Sequence, residues 1–208
     1  MKKLYGAVAV VVVSVVSLGC GPADSTDTSS TAGDALTASE SSDLTFLREE
    51  EKLARDVYLA LGARYGTAIF SNIAASEQTH MDSVLALLER YGLTDPAAGR
   101  AEGEFQDATL QALYTQLVTQ GDASLEAALT VGATIEELDI TDLAHFAAAT
   151  SRPDVLTVYG NLTKGSRNHL RSYTGQLSGL GVTYVPQYLD QASYDAILAS
   201  PMERGPAR

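Results

Sequence analysis

The chain has 208 residues and 45% of them are hydrophobic, which is enough for one domain with a sizeable core. Its formal net charge is −12, and removal of a leader containing Lys2 and Lys3 would make the charge −14. An acidic surface of this kind repels nucleic acids and anionic lipid headgroups, so neither is expected as a partner. The only cysteine is Cys20, which excludes an intrachain disulfide.

Residues 1–19 have the pattern of an export signal. Two lysines supply positive charge near the start, and residues 7–16 form an apolar run too short to span a bilayer comfortably. The run leads to Cys20 in a segment that resembles a bacterial lipoprotein signal, in which this cysteine is lipidated. Ser17 departs from that pattern, so the alternatives are an ordinary signal peptide, an uncleaved anchor and an incidental thiol. We predict that the protein is exported to the bacterial cell envelope and is attached to the membrane only through an N-terminal lipid. Without the lipid it would be periplasmic or secreted.

Residues 20–43 are predicted to form a disordered tether. Residues 21–43 include ten serines or threonines and no aromatic residue, so they cannot bury enough surface to offset chain entropy. A flexible tether of this length has a reach of roughly 25–30 Å. The folded domain is expected over residues 44–198, followed by a disordered tail at residues 199–208.

From Leu44 onward, apolar residues recur at intervals of three and four, which indicates amphipathic helices. Glycines at 62, 66, 92 and 121 mark helix ends, and Pro153 marks a helix start. One long helix is predicted from residue 44 to the glycines at 62 and 66. Three more are predicted at residues 67–91, 123–149 and 154–180, with a short helix at residues 108–120. Residues 182–185 could form a short extended piece. The fold class is therefore all-α: an antiparallel four-helix bundle with one extra short helix between helices 2 and 3 and a short C-terminal extension.

Glu77 and His80 lie near the middle of the apolar stripe of the second helix. Residues three apart on a helix share a face, so this pair would present an oxygen and a nitrogen to the same point inside a bundle. Burying an unpaired carboxylate costs several kcal/mol, so Glu77 requires a partner. That partner is either a metal ion or His80 itself, in a simple buried ion pair.

The first and third helices also carry acidic residues on their inner sides. Glu51 shares a stripe with apolar residues, and Glu50 lies on the neighbouring stripe as a second candidate. The alternative is that this acidic run only favours the first turn of a helix through the helix dipole. On the third helix, Glu136 lies at the centre of the apolar arc with Asp139 slightly to one side, whereas Glu137 falls outside it. For Asp139 the alternative is local hydrogen bonding on a solvent-facing side.

The fourth helix carries His169 on its inner stripe. A lone histidine on an apolar face is more often a core residue than a ligand, but here the second helix brings His80 to the same interior. Position 166, three residues earlier, is a serine and cannot replace a carboxylate. His145 has no carboxylate three residues before it on the same face, so we interpret it as structural.

Four separated stretches resemble one bacterial and archaeal family, known as domain of unknown function 2202 and placed in the ferritin-like superfamily. They are EEEKLARDVYLAL, SEQTHMDSVLALL, VGATIEELDITDL and GSRNHLRSY, and the likeness covers about residues 44–198. The first two also resemble the first two helices of rubrerythrin-type proteins. The superfamily pattern is a glutamate on each of two helices and a Glu-x-x-His on each of the other two. The resemblance implies that Glu51, Glu77, His80, Glu136 and His169 match this pattern, while Ser166 stands where the remaining glutamate should be and Asp139 could compensate.

This resemblance implies a dinuclear iron or manganese site, with zinc as a further option, because the donor set is hard and mixed. Its predicted ligands are Glu51, Glu77, His80, Glu136, Asp139 and His169. Oxidase or peroxide-reducing activity is expected, with oxygen or peroxide at an open position, and no catalytic residue is assigned. The alternative is a non-catalytic envelope protein that stores or binds metal or acts as a helical scaffold with a degenerate site. Three inward tyrosines could support the ligands or accept an oxidising equivalent, although each alone is more simply a core aromatic: Tyr58, Tyr65 and Tyr173.

Overall fold

A computed structural model describes residues 35–205 of the chain, so the predicted signal at residues 1–19 and lipidation at Cys20 lie outside the described residues. Those residues form six α-helices and contain no strand, so the option of an extended piece at residues 182–185 is not realised as a strand. No helix in this part of the chain combines the length and the apolar character needed to cross a bilayer. The helices are α1 (Ala38–Tyr65), α2 (Ala68–Arg90), α3 (Ala108–Gly121), α4 (Leu125–Ala149), α5 (Pro153–Gly179) and α6 (Gln191–Ala199).

The first helix begins earlier than the sequence pattern predicted. A capping box starts it at Ala38: the Thr37 hydroxyl accepts from the Glu40 amide at 3.1 Å, and the Glu40 carboxylate accepts from the Thr37 amide at 2.8 Å. Glu40 is also held by Thr150 at 2.6 Å and by Arg152 at 3.2 Å. The predicted tether is therefore too long at its end, because residues 38–43 are helical, and its residues before 35 lie outside the described chain.

The four long helices pack on one another in pairs. α1 packs on α2, α4 on α5, α1 on α4 and α2 on α5, while α3 packs against α1 and α4. Their apolar residues form two clusters, one including Tyr58, Phe70 and Tyr173 and the other including Leu44 and Leu162. Along each long helix the change from one cluster to the other falls near one of the buried residues Glu51, Glu77, Glu136 and His169. The order of the clusters reverses from α1 to α2 and from α4 to α5. The polar interior is thus enclosed by apolar packing on two sides.

The segment after α5 is ordered by Glu137, which the helical wheel had placed outside the apolar arc. Glu137 is fully buried, and its carboxylate accepts from the Tyr184 hydroxyl at 2.8 Å and the Gln187 amide at 2.7 Å. The wheel misplaced it because the chain beyond α5 folds back over this side of α4. α6, which the apolar pattern did not reveal, follows this segment.

The C-terminal tail, predicted to be disordered at residues 199–208, is fixed on α5 as far as it is described. The Glu203 carboxylate accepts from Arg167 at 2.7 and 2.6 Å and from Arg171 at 3.1 Å. The Asn168 side chain pairs with the backbone of Glu203 in both directions, at 3.0 and 2.9 Å. The prediction was wrong for residues 199–205 because composition does not reveal this ion-paired anchor, and residues 206–208 lie outside the described chain.

Candidate metal centre

Glu77 lies between the two buried histidines. Its Oε2 is 2.7 Å from Nδ1 of His80, and its Oε1 is 2.8 Å from Nδ1 of His169. His80 shares a helix face with Glu77 because it lies three residues further along α2, whereas His169 comes from α5. One carboxylate therefore presents a different oxygen to each of two imidazoles, which is the arrangement of a bridging ligand.

Two further glutamates complete a pair of equivalent pockets. Glu51 on α1 places Oε2 at 3.1 Å from Nδ1 of His80, and Glu136 on α4 places Oε2 at 3.4 Å from Nδ1 of His169. The ligand atoms of the first pocket lie within 4.8 Å of one another, and so do those of the second. The first pocket consists of Glu51, Glu77 and His80, and the second of Glu77, Glu136 and His169. The structure thus brings together five of the six predicted ligands, and Glu77 belongs to both pockets.

Several donor and acceptor atoms in these pockets make no hydrogen bond within the described chain. They include both oxygens of Glu77, Oε1 of Glu51, Oε2 of Glu136 and Nδ1 of His169. Nδ1 of His169 approaches two carboxylate oxygens, yet neither contact has hydrogen-bond geometry. These groups are paired by charge, but buried polar atoms without aligned hydrogen bonds are costly. A cation bound among these atoms would satisfy them together, so the residues present fit a metal ion.

Burial and mutual charge shift the pKa values of these groups. Burial raises the pKa of Glu51 to about 7, against the opposing effect of His80. Burial would also raise the pKa of Glu77, but the two imidazoles together hold it well below its ordinary range. For His169, burial opposes protonation, but Glu77 and Glu136 raise its pKa to about 10. His80 is raised likewise by Glu77 and Glu51 against burial. Without a cation the imidazoles hold protons, which a metal ion would displace.

Neighbouring side chains contact two of the pocket residues and fix their orientation. Nε2 of His169 lies 2.9 Å from the Ser76 hydroxyl, and the Tyr58 hydroxyl donates to Oε1 of Glu136 at 2.6 Å. Partners of this kind set the tautomer and direction of a metal-binding group. The apolar pattern of the sequence did not indicate a role for Ser76. This residue precedes Glu77 on α2, but its contact with His169 follows only from the packing of α5 on α2.

Asp139 and Glu50 are buried but belong to neither pocket. All four of their carboxyl oxygens lack a hydrogen bond within the described chain. The pKa of Asp139 is raised well above its ordinary range by burial and then by the charges of Glu50 and Glu51. Asp139 is therefore buried beside the pockets, neither a member of them nor solvent-facing. The helix-dipole explanation for the acidic run is wrong, because α1 begins at Ala38 and Glu51 lies far from its first turn.

The other residues weighed from the sequence have separate roles. Ser166 is buried, and its hydroxyl donates to the Leu162 carbonyl of its own helix at 3.2 Å. His145 is exposed and lies against Phe146, outside both pockets. Tyr173 packs on Tyr58 with ring centroids 5.3 Å apart. The hydroxyl of the third weighed tyrosine, Tyr65, donates to the Gly121 carbonyl at 2.8 Å.

The fold and this site define an all-helical protein with a buried glutamate and histidine cluster shared by four helices. The chain belongs to the family described as Uncharacterized protein domain (DUF2202), whose model matches residues 40–201. It is similar to the uncharacterized protein MJ0754 of Methanocaldococcus jannaschii, with 48% identity over 170 residues, 82% of this chain and 92% of that protein. It is also similar to the crystal structure of hypothetical protein MJ0754 from Methanococcus jannaschii, with a TM-score of 0.81 and 46% identity over 84% of this chain and 100% of that chain.

Proposed function

We propose that this protein is a ferritin-like four-helix bundle that binds two iron or manganese ions, with zinc as a less suited occupant. Each of the four long helices contributes a ligand, and the reversal of the two apolar clusters between neighbouring helices supports an antiparallel bundle. The proposed ligands are Glu51, Glu77, His80, Glu136 and His169. Glu77 would bridge the two ions because each of its oxygens faces a different imidazole.

The observation that carries this proposal is the set of unsatisfied atoms around Glu77. Both Glu77 oxygens and Nδ1 of His169 are buried within hydrogen-bonding distance of a partner, yet no hydrogen bond joins them. A simple buried ion pair between Glu77 and one histidine would align a proton between its two atoms. Carboxylate oxygens and an imidazole nitrogen gathered within 4.8 Å of one another, as in each pocket, suit a metal ion.

The donor set and its surroundings favour a redox-active pair of ions. Carboxylate and imidazole ligands suit iron and manganese, and two such ions would supply oxidase or peroxide-reducing chemistry towards oxygen or peroxide. The chain would contribute a sealed interior, because apolar clusters flank the pockets and the side chains of His80 and His169 are each only 10% exposed. Tyr58 would hold Glu136 in place through its hydroxyl.

A non-catalytic role in metal binding, storage or scaffolding is the second candidate. Ser166 stands where a further glutamate would complete the symmetric ligand set, so the cluster as a whole has one carboxylate fewer than that set. With only one cysteine, the chain has no cysteine set of its own for electron delivery, so electrons would come from an external donor or from a substrate metal. Export and lipid attachment at Cys20 are part of both candidates and rest on the sequence pattern.

Metal stoichiometry tests the proposal. The purified protein, stripped with a chelator and then loaded with Mn²⁺ under anaerobic conditions, is expected to retain two ions per chain by elemental analysis. His80→Gln and His169→Gln should each lower this number, whereas His145→Gln, an exposed histidine outside the pockets, should leave it unchanged. Retention no higher in the wild type than in the two pocket variants would refute metal binding. Rapid oxidation of bound Fe²⁺ by oxygen or peroxide would favour the enzymatic candidate over storage.

A further inference from the structure

A second carboxylate pair lies on the α1 and α4 side of the pockets. Glu50 on α1 is buried, and neither of its oxygens makes a hydrogen bond within the described chain. It faces Asp142 on α4 at hydrogen-bonding range, and Asp142 is only partly buried. Two carboxyl groups that face each other without a donor require either a shared proton or a cation between them. This pair is therefore a candidate cation site with access to solvent.

Asp139 connects this pair to the pockets. It lies three residues before Asp142 on α4, so the two share a helix face. Both oxygens of Asp139 are buried without a hydrogen bond in the described chain, and the charges of Glu50 and Glu51 both act on it. Glu51 is already a member of the first pocket. Carboxylates on α1 and α4 thus extend from the partly exposed Asp142 to the first pocket.

We propose that Glu50 and Asp142 form a transit site for divalent transition-metal ions, from which Asp139 passes each ion to the pocket of Glu51. The proposal rests on the metal-binding function proposed above and adds the route by which the metal arrives. Only oxygen ligands are present at the pair, whereas each pocket adds an imidazole nitrogen. Fewer and harder ligands bind a transition-metal ion more weakly, so the ion is drawn inward.

The kinetics of Co²⁺ uptake test this route, because the absorbance of bound Co²⁺ reports occupancy in real time. Glu50→Gln and Asp142→Asn replace each carboxylate with an amide of the same shape. The expected result is that uptake slows by about tenfold in each variant, since the local attraction for cations is removed. The final stoichiometry should stay at the wild-type two ions per chain.

Asp43→Asn is the matched control. Asp43 is partly buried on α1 and, like Asp142, interacts with the charge of His145, so its removal changes the same region by the same charge. It lies seven residues before Glu50 on α1, about two helical turns away, and its variant is expected to take up Co²⁺ at close to the wild-type rate. Thermal melts of all variants check folding, and because Asp142 is partly exposed, its variant remains informative if Glu50→Gln is unstable.

Three results would overturn the transit site. Uptake at the wild-type rate in both variants, with two ions bound, would mean that the pair shares a proton, and the metal centre would stand without it. A lower final stoichiometry in Glu50→Gln would make Glu50 a ligand of the centre itself. Equal slowing in Asp43→Asn would mean that the slower Co²⁺ uptake comes from the loss of general negative charge and not from the loss of this pair. Failure of the wild type to bind any Co²⁺ would instead refute the proposed function and the transit site with it.

Discussion

The imidazole rings of His80 and His169 stack at 28° from parallel with their centroids 5.6 Å apart, and each directs Nδ1 at a different oxygen of Glu77. The rings come from α2 and α5, so their approach depends on the packing of these helices. Two imidazoles with raised pKa values would repel each other if both were protonated, and carboxylates on both sides offset this repulsion. Exchange of those protons for metal ions would relieve it.

Ser76 is expected to orient the ring of His169. Its hydroxyl lies 2.9 Å from Nε2, so it can hold the Nε2–H while a metal ion displaces the proton on Nδ1, the nitrogen that faces Glu77 and Glu136. Ser76→Ala should weaken Mn²⁺ binding by about tenfold, in line with the loss of other ligand-orienting contacts. Ser76→Thr keeps the hydroxyl and should restore most of the affinity. Calorimetric titration with Mn²⁺ measures the affinity of each variant. An unchanged Mn²⁺ affinity in Ser76→Ala would contradict this role.

Gly165 is expected to be essential for the position of His80. A Cβ at this residue would lie 2.6 Å from Cε1 of His80, so the ring of His80 must move if any side chain is added. Gly165→Ala should destabilise the protein by about 1–3 kcal/mol, as overpacked sites do, and should disrupt the first pocket.

Gly175 on the same helix supplies the control for this substitution, because a Cβ there meets nothing within 4 Å. Gly175→Ala should stabilise α5 by about 0.5–1 kcal/mol, since alanine favours helices over glycine. Urea unfolding compares the two variants. Equal stability of the two alanine variants would show that His80 does not occupy the space beside Gly165.

Much of the helical arrangement could be predicted from the sequence, because its local signals are strong. The glycines predicted helix ends, and Pro153 predicted a helix start, within a few residues of the observed bounds. The start of α1 was missed because residues 38–43 are mostly polar, although the Thr37 and Glu40 capping box was present in the sequence. α6 has only nine residues and forms no long apolar stripe. Short elements of this kind depend on contacts with the rest of the fold.

The residues that lie together at the candidate site could be predicted from the sequence, whereas their neighbours could be predicted less well. The three-residue spacing of Glu77 and His80 and the inward stripes of Glu51 and Glu136 each identified a helix face. A helical wheel gives the direction of a side chain but not its neighbours, so it could not separate Asp139 from the pockets. It also gave no account of Ser76, whose role depends on how α5 crosses α2.

The stability of the metal-free protein should depend on pH through His169. Its pKa is raised from an ordinary value of 6.5 to about 10, since Glu77 and Glu136 outweigh burial. A raised pKa means that the folded state holds the proton more tightly than the unfolded state. The resulting stabilisation is complete below pH 6.5 and is lost as pH rises to about 10. The stability difference between the wild type and His169→Gln should therefore shrink over this range.

Denaturant unfolding of metal-free protein at several pH values measures this difference. His145→Gln, which removes an exposed imidazole outside the pockets, is measured beside it as the matched control. Added Mn²⁺ should raise the melting temperature more at pH 8 than at pH 6, because fewer protons compete for the ligands. A difference between the wild type and His169→Gln that grows with pH would contradict the assigned environment of His169.

Glu203 is expected to hold the C-terminal tail on α5. Its hydrogen bonds with Arg167, and then with Arg171, lower its pKa to about 2, so its contribution is present above the ordinary value of 4.5 and lost as pH falls through 2. Glu203→Gln should cost about 1 kcal/mol, since the pair is partly exposed to solvent. Hydrogen exchange should speed up at residues 200–205, and Asp195→Asn on α6 serves as the control. Unchanged exchange at the tail would show that other contacts hold it.

Anomalous diffraction from crystals grown with Mn²⁺ tests the central claim most directly, because it locates the metal without relying on activity. Data collected on both sides of the manganese absorption edge should show two peaks inside the helices, one on each side of the Glu77 carboxylate. The first peak should be bound by Glu51 and His80, and the second by Glu136 and His169. Crystals that bind no manganese in this interior, with protonated imidazoles hydrogen-bonded to the carboxylates, would contradict the account.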